Sequence, residues 1–228
     1  MIEVDLREGG VRALNQRLHA LRPDSNERAF RVLHPMGAHS IAVGCTEPVE
    51  IAVDGHVGFY CGGMNKEARI TVHGHAGPGV AENMMSGRIH VTGNCSQGAG
   101  ASGRGGLLIV DGDASSRCGI SMKGISIVVK GSVGHMSAFM AQSGRLVVCG
   151  DAGEALGDSI YEARIYVRGD VAGLGADCVA KELREEHREE LAGLLERAGV
   201  RDADPAEFRR YGSARRLYNF DVDNASDY

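Results

Sequence analysis

Seven glycines recur along the chain at an interval of 19 residues, with no insertion or deletion from the first to the last. They are Gly55, Gly74, Gly93, Gly112, Gly131, Gly150 and Gly169. A valine stands two residues before each of them, and an isoleucine or leucine stands four residues before. A small or branched apolar residue stands two residues after each glycine. A fixed period of about 20 residues is typical of stacked units that cannot bury an apolar face alone.

The alternation inside each repeat predicts the geometry of the unit. Apolar side chains at every second position are typical of a strand that buries one face. The glycine that follows suits a bend that needs a positive φ angle or a close approach of two backbones. Because the period never varies, each turn is expected to lie on the one before, about 4.8 Å away. The sequence therefore predicts an all-β solenoid, a right-handed parallel β-helix with 19-residue turns.

The repeat divides the chain into three parts. Residues 1–50 are predicted to form an N-terminal cap, because an exposed parallel edge promotes aggregation. Residues 51–176 are predicted to form the β-helix, and residues 177–228 a C-terminal helix with an extended tail. Within the last part, residues 181–198 place leucines on one side of a helix and Glu and Arg on the other. Gly199 suits the C-terminal cap of that helix.

The predicted cap contains both strand and helix patterns. Residues 2–6 alternate like a short strand. Apolar residues from Val11 to Leu21 recur at helical spacing, and Pro23 ends the pattern. Two stretches, Arg31–Leu33 and Ile41–Val43, are strand-like. We therefore expect a strand, a helix and two further strands before the regular repeat.

Charge and hydropathy exclude several classes of partner. The chain has 25 Lys and Arg against 30 Asp and Glu, a formal net charge of −5, which does not indicate binding to nucleic acid or to an acidic membrane. No run approaches the roughly 18 apolar residues of a membrane span. The first residues do not have the pattern of a signal peptide. The sequence predicts a cytoplasmic protein with neither a nucleic acid nor a membrane as partner.

The six cysteines form no CxxC pair. Cys61 and Cys118 occupy the same position of the repeat three turns apart, which is about 14 Å at strand spacing. A disulfide needs Cα atoms within about 7 Å. We therefore expect reduced thiols, in agreement with a cytoplasmic protein, and no iron–sulfur cluster held by this chain alone.

Two motifs invite a catalytic interpretation that the context does not favour. Gly98–Gly103 matches GxGxxG, but a dinucleotide site needs a helix after that loop, and here another repeat strand follows. His56 and His75 occupy one position on adjacent turns, where they could bind a metal only with a third ligand. Solvated turn residues are the more frequent case. No Ser-His-Asp or Cys-His arrangement emerges, so we expect no catalytic residue, cofactor or metal on this chain.

A basic row is the first candidate surface. Lys66, Arg104 and Lys123 occupy one position of the repeat, together with Met85, Gln142 and Tyr161. Such a row on a rigid face could contact a phosphate or the acidic surface of a partner. It could equally be a solvated row.

An apolar strip is the second candidate surface. Ile109, Val128 and Val147 occupy the outward position three residues before the repeat glycine, where a monomer should not expose them. Either the helix at residues 181–198 or another protein covers the strip. The tail adds Tyr218 and Phe220, aromatic residues of the kind that gain order on a partner. These residues and the basic row are the predicted interface.

The repeat resembles the GXGXG-motif β-helix family, which includes the C-terminal domain of the glutamate synthase large subunit and one of the subunits of formylmethanofuran dehydrogenase. Four longer stretches carry a narrower resemblance: Gly77–Gly87, Cys118–Gly124, Gly134–Met140 and Gly157–Glu162. They are similar to the GlxC family of free-standing glutamate-synthase-like subunits. That family is equivalent to the β-helix component of N-methylglutamate synthase (methylamine–glutamate N-methyltransferase). The resemblance covers nearly the whole chain.

The resemblance implies a division of labour. It implies a class II glutamine amidotransferase-like partner and an FMN-binding, glutamate synthase-like partner that also holds an iron–sulfur cluster. This chain would then be the connecting subunit of a hetero-oligomer, without catalytic residues or cofactors of its own. The complex would form N-methylglutamate and ammonia from methylamine and glutamate.

Two alternatives remain open at this point. Membership of a formylmethanofuran dehydrogenase-like complex would keep the scaffold role within a different enzyme. A left-handed β-helix acyltransferase also stacks its turns, but its hexapeptide repeat gives 18 residues per turn instead of 19.

Overall fold

A computed structural model describes residues 1–215 of the 228-residue chain. The described residues form eleven strands, two α-helices and a short 3₁₀ helix. The strands are β1 (Ile2–Asp5), β2 (Ala29–Leu33), β3 (Glu50–Asp54), β4 (Arg69–Val72), β5 (Arg88–Val91), β6 (Leu107–Val110), β7 (Lys123–Val129), β8 (Ser143–Val148), β9 (Arg164–Val167), β10 (Cys178–Lys181) and β11 (Arg209–Ser213). The helices are α1 (Leu6–Ala20), α2 (Glu185–Ala198) and the 3₁₀ helix Pro205–Glu207.

The strands form one sheet in which β1 to β9 follow each other in chain order and pair in parallel. Strand β11 then pairs antiparallel with β9, and β10 closes the edge. Ile51, Ile70 and Ile89 stand opposite one another in successive strands, so the 19-residue repeat is the register of the sheet. The predicted parallel β-helix is confirmed.

The inner face of the sheet builds the core. The residues four and two places before each repeat glycine are buried, from Ile51 and Val53 to Ile165 and Val167. The apolar residues two places after the glycines form a second parallel ladder, from Val57 to Val171. Every turn therefore buries apolar surface, which stabilises the fold by about 25 cal/mol per Å².

The repeat glycines are required by close approach rather than by a left-handed backbone. Only Gly55 among the seven has a positive φ angle. At Gly74, a Cβ would lie 2.8 Å from the carbonyl carbon of Gly55 on the preceding turn. A separation below 3.0 Å requires the backbone to shift, so a side chain at this corner would force two turns apart.

The other half of each turn has a backbone conformation that repeats closely. Residues five, seven and nine places after the repeat glycine have φ between 52° and 71° in six successive turns. They run from Tyr60, Gly62 and Met64 to Ala155, Gly157 and Ser159.

Such left-handed residues cost about 1–2 kcal/mol each when they are not glycine. Hydrogen bonds between turns compensate, as from the N–H of Met64 to the carbonyl of Glu82, 2.8 Å away. The middle position is always Gly or Ala because it faces the core. At Gly100, a Cβ would lie 2.5 Å from Cδ1 of Ile127.

The N-terminal segment is in part a continuation of the solenoid. Strand β2 pairs with β3 in the same register, with Phe30 opposite Ile51 and Val32 opposite Val53. The strand expected at Ile41–Val43 is wrong: these residues form turns, and Ala42 has a φ of 54°. They occupy the left-handed half of the first turn. Their apolar residues resemble a strand because the side chains are mostly buried, although the backbone is not extended.

Helix α1 closes the open end of this half-turn. The side-chain amide of Asn15 donates to the carbonyl of Ser40 at 2.8 Å and accepts from the N–H of Ala42 at 3.0 Å. His19 Nε2 lies 2.7 Å from the carbonyl of Val43. The two side chains therefore supply hydrogen bonds that a further turn would otherwise supply.

Helix α2 has its C-terminal cap at Gly199, as the sequence predicts. The φ angle of 71° at this residue confirms the cap.

Candidate interaction surface

The basic row lies on one face of the solenoid, on the corner that follows the left-handed segment. The backbone N–H groups of Met85, Arg104 and Lys123 each donate to a carbonyl on the preceding turn, at 2.7–2.8 Å, so these residues stack directly. The cationic members Lys66, Arg104 and Lys123 are exposed. Within residues 1–215, none of the three forms an ion pair. The row is therefore accessible, and its role as an interface stays a prediction.

Exposed methionines adjoin the basic row. Met85 is 49% exposed within it, and Met64 and Met140 are 46% and 43% exposed two positions earlier in their own turns. Met84 and Met122, by contrast, are fully buried in the core. Methionine side chains adapt to irregular surfaces. The corner therefore offers flexible apolar side chains beside exposed positive charge.

The apolar strip is not a partner surface. Ile109, Val128 and Val147 are fully buried, in one cluster with Leu191 and Leu194 of helix α2. Of the two alternatives for its cover, the chain's own helix is the one observed. The prediction that these three residues form an interface is wrong, because alternation along a strand shows which way a side chain points but not what lies over it.

A carboxylate clamp fixes helix α2 on the strip. Glu190 Oε2 accepts from Arg145 Nε at 2.7 Å and from Arg164 Nη1 at 2.9 Å, while Oε1 accepts from the Tyr166 hydroxyl at 2.6 Å. Burial opposes ionisation of Glu190, but the hydrogen bonds from Arg145 and Tyr166 outweigh it and lower the pKa. Burial and the Glu190 contact raise the pKa of Tyr166.

The last turn of helix α2 has a contact of its own. Arg88 Nη1 donates to the carbonyl of Arg197 at 3.2 Å. This carbonyl belongs to the unsatisfied C-terminal end of the helix, where a positive charge is favourable. Sequence reasoning missed the clamp and this contact. The available signal was the recurrence of Arg five residues before four of the repeat glycines, at Arg69, Arg88, Arg145 and Arg164.

The two histidines considered as metal ligands stack with ring centroids 4.9 Å apart. Each Nδ1 atom already accepts a backbone hydrogen bond, from the N–H of His75 to His56 at 3.0 Å and from the N–H of Asn94 to His75 at 2.8 Å. Among residues 1–215, no group of three His, Cys, Asp or Glu side chains could hold a metal ion. The stacked histidines are therefore part of the solenoid's own bonding.

The GxGxxG stretch, Gly98–Gly103, forms a corner of the solenoid and leads into strand β6. This placement confirms the interpretation made from the sequence. The N–H of Gly98 and that of Gly100 donate to carbonyls on the two neighbouring turns. The stretch therefore lacks the free N–H groups at a helix N-terminus that cradle a pyrophosphate.

All six cysteines are free thiols in the interior, which confirms the prediction of unpaired cysteines. Burial raises the pKa of Cys45, Cys61 and Cys118 to about 12, and that of Cys178 to about 11. Reactivity and metal binding require the thiolate. These thiols therefore do not fit the role of a nucleophile.

The remaining sequence predictions concern the tail and the membrane. Tyr218 and Phe220 lie outside the described residues. Among the described helices, none is long and apolar enough to cross a membrane.

Comparison with known proteins identifies a relative that matches over nearly its full length. No family model matches the chain. Protein GlxC of Rhizobium meliloti (strain 1021) is 60% identical over 225 residues, which make up 99% of this chain and 99% of that protein. The similarity runs from end to end, as the resemblance seen in the sequence predicts.

Proposed function

The chain belongs to the GlxC family, and from this premise we propose that it is the connecting subunit of a glutamate-synthase-like enzyme, N-methylglutamate synthase. The observation that carries the proposal is the full-length identity of 60% with Protein GlxC. The glycine repeat supports the wider relation to the GXGXG-motif β-helix of glutamate synthases. In this role the chain joins an amidotransferase-like subunit to an FMN and iron–sulfur barrel subunit, and the complex converts methylamine and glutamate to N-methylglutamate and ammonia.

The architecture suits a connecting role. Each turn is bonded to its neighbours on the strand side and on the left-handed side, so the stack resists bending between its ends. Partners bound at separate places along such a rod keep a fixed separation and orientation. Function then resides in the surface instead of in reactive side chains.

The interior chemistry is in agreement with a subunit that leaves catalysis to its partners. The thiols are kept protonated by burial, and the stacked histidines accept backbone hydrogen bonds. The FMN and the iron–sulfur cluster belong, in this proposal, to the barrel subunit. The basic row at Lys66, Arg104 and Lys123 supplies accessible charge for docking.

Reconstitution tests the proposal. The chain is mixed with the amidotransferase-like and flavin-barrel subunits, and methylamine-dependent formation of N-methylglutamate is measured by mass spectrometry. We expect turnover and a single complex on size exclusion only when all three components are present. Equal turnover without this chain would contradict the connecting role. Association with a molybdenum enzyme instead would indicate the formylmethanofuran dehydrogenase-like complex.

The cofactor assignment has a separate test. The purified chain should show no flavin absorbance and no stoichiometric iron, whereas the assembled complex should show both. A yellow, iron-containing preparation of the chain alone would move the cofactors to this subunit.

A further inference from the structure

The outer face of the sheet is half covered. Helix α2 lies over strands β6 to β9, whereas the outer face of β3 to β5 borders a groove of about 330 Å³. The same outward row continues through both halves, but its residues change from Ile109, Val128 and Val147 to Ala52, Thr71 and His90. The open half therefore has a floor of two small side chains and one imidazole.

Arginines line both halves at the position two residues before this row. In the covered half, Arg145 and Arg164 stand on adjacent strands and hold the carboxylate of Glu190. In the open half, Arg69 and Arg88 stand on adjacent strands in the same register and line the groove. The fold thus repeats an arginine pair that already binds a carboxylate elsewhere on the same sheet face.

The open pair has unused hydrogen-bonding capacity. Arg69 is exposed, and within residues 1–215 its side chain forms no ion pair and no hydrogen bond. Arg88 uses one amino group on the carbonyl of Arg197. A guanidinium has five donors in a fork that matches a carboxylate. Glu50, the one acidic residue lining the groove within the described chain, lies more than 4 Å from both guanidinium groups.

We propose that the groove on β3 to β5 is a docking site for an acidic segment of a partner subunit, whose Asp or Glu side chain binds Arg69 and Arg88 as Glu190 binds Arg145 and Arg164. The segment differs from helix α2 in being less apolar, because Thr71 and His90 take the place of buried aliphatic residues in the floor. A protein segment fits better than a free dicarboxylate, since the wall residues Arg69 and Glu50 are exposed. Small-molecule sites normally bury most of their ligand.

Only the origin of the acidic segment, a partner subunit, rests on the proposed connecting role. The groove itself is tested on the isolated full chain with hexaglutamate peptide as the probe, by calorimetry at low and high salt. We expect salt-sensitive binding that Arg69→Glu weakens by at least about tenfold. Arg12→Glu is the matched control, an exposed arginine of helix α1 that does not line the groove, and should leave the affinity nearly unchanged. Unchanged melting of both variants shows that they fold, and Arg69→Gln replaces Arg69→Glu if that variant does not.

Three results would overturn the proposal. They are absence of hexaglutamate binding, equal weakening by Arg12→Glu, and monomeric glutamate binding as tightly as the peptide, which would indicate a small-molecule site. The partner is then identified with a photo-crosslinking residue in place of Thr71 in the reconstituted complex. A crosslinked partner peptide containing Asp or Glu is expected, and a peptide without either contradicts the assignment. Failure of the complex to assemble would contradict the connecting role while the hexaglutamate result still decides the groove.

Discussion

The backbone N–H of Asn94 donates to Nδ1 of His75 on the preceding turn, and the two atoms are 2.8 Å apart. The same step recurs along the solenoid with different side chains as acceptors. The acceptors after the repeat glycines are His56, His75, Asn94, Asp113, Ser132 and Asp151. The position after each repeat glycine therefore needs a side chain with an acceptor atom near the backbone, and several residue types meet this need.

This ladder predicts what the histidines contribute. Replacing His75 by Ala removes one exposed hydrogen bond and should lower the free energy of unfolding by about 0.5–1.5 kcal/mol. His75→Asn keeps an acceptor and should restore most of that loss. Denaturant titration measures both, with His135→Ala, another exposed histidine, as the control.

The same variants test for catalysis. His56→Ala and His75→Ala should leave turnover of the assembled complex nearly intact. A variant that assembles normally but has lost turnover would show that a histidine acts in the reaction.

The cysteines should be unreactive in the folded chain. Because burial raises the pKa of Cys61 and Cys118 to about 12, only about one thiol in ten thousand is ionised at pH 8. Modification by iodoacetamide at pH 8, followed by mass spectrometry, should therefore be slow for the native protein. Unfolding in guanidinium should expose all six thiols. Rapid labelling of one cysteine in the native state would place that residue in an accessible, activated site.

The ladders could be predicted from sequence because they depend on residue type in a fixed register. Ile51, Val53 and Gly55 recur with their chemistry unchanged. The left-handed rows could not, because their outer positions hold residues as different as Tyr60 and Arg117. The left-handed backbone there is imposed by hydrogen bonds between turns, which can form with any residue type. Only the inward position restricts the residue, to Gly or Ala.

Of the two candidate surfaces, one could be predicted from the sequence and the other could not. The stacking of Lys66, Arg104 and Lys123 follows from the period. The cover over Val128 does not, since it depends on where a distant helix docks. That docking combines an apolar cluster with the bonds of Glu190 to two arginines far from it in sequence.

The Glu190 clamp predicts a pH dependence of stability. Its pKa is lowered from the ordinary value of 4.5, so its contribution is fully present above about pH 4.5 and is lost as the pH falls through the folded-state pKa. At pH 7, Glu190→Gln should cost about 1–3 kcal/mol. The difference from the wild type should shrink below about pH 4.5.

Chemical denaturation at several pH values measures this effect. Glu196→Gln is the control, since Glu196 is an exposed residue of the same helix and forms no ion pair in the described part of the chain. A difference between Glu190→Gln and wild type that is constant down to about pH 3 would show that the clamp does not lower the pKa of the carboxylate.

Burial of Val128 predicts a folding defect instead of a binding defect. Val128→Lys places an unpaired ammonium beneath helix α2 and should destabilise the chain by several kcal/mol. Thr71→Lys is the matched control, in the same outward row on the uncovered half. Thermal melting should show a large loss for the first variant and little for the second. A normally folded Val128→Lys protein that fails to assemble would mean that a partner reaches the strip.

Asn15 predicts how the solenoid is protected at its N-terminal end. The buried N–H of Ala42 has the Asn15 carbonyl oxygen as its acceptor, so Asn15→Ala leaves a buried donor unsatisfied and should cost about 1–3 kcal/mol. Gln16→Ala removes an exposed amide from the next position of helix α1 and should be neutral or slightly stabilising.

The two bonds of Asn15 can be separated. Asn15→Asp keeps the acceptor for Ala42 but places a carboxylate oxygen against the Ser40 carbonyl, where Asn15 donates at 2.8 Å. Its stability in denaturant should fall between those of wild type and Asn15→Ala at pH 7. It should rise as the pH falls below about 4, because the protonated acid can donate to Ser40. An Asn15→Ala protein as stable as Gln16→Ala would show that the first turn needs no acceptor from the helix.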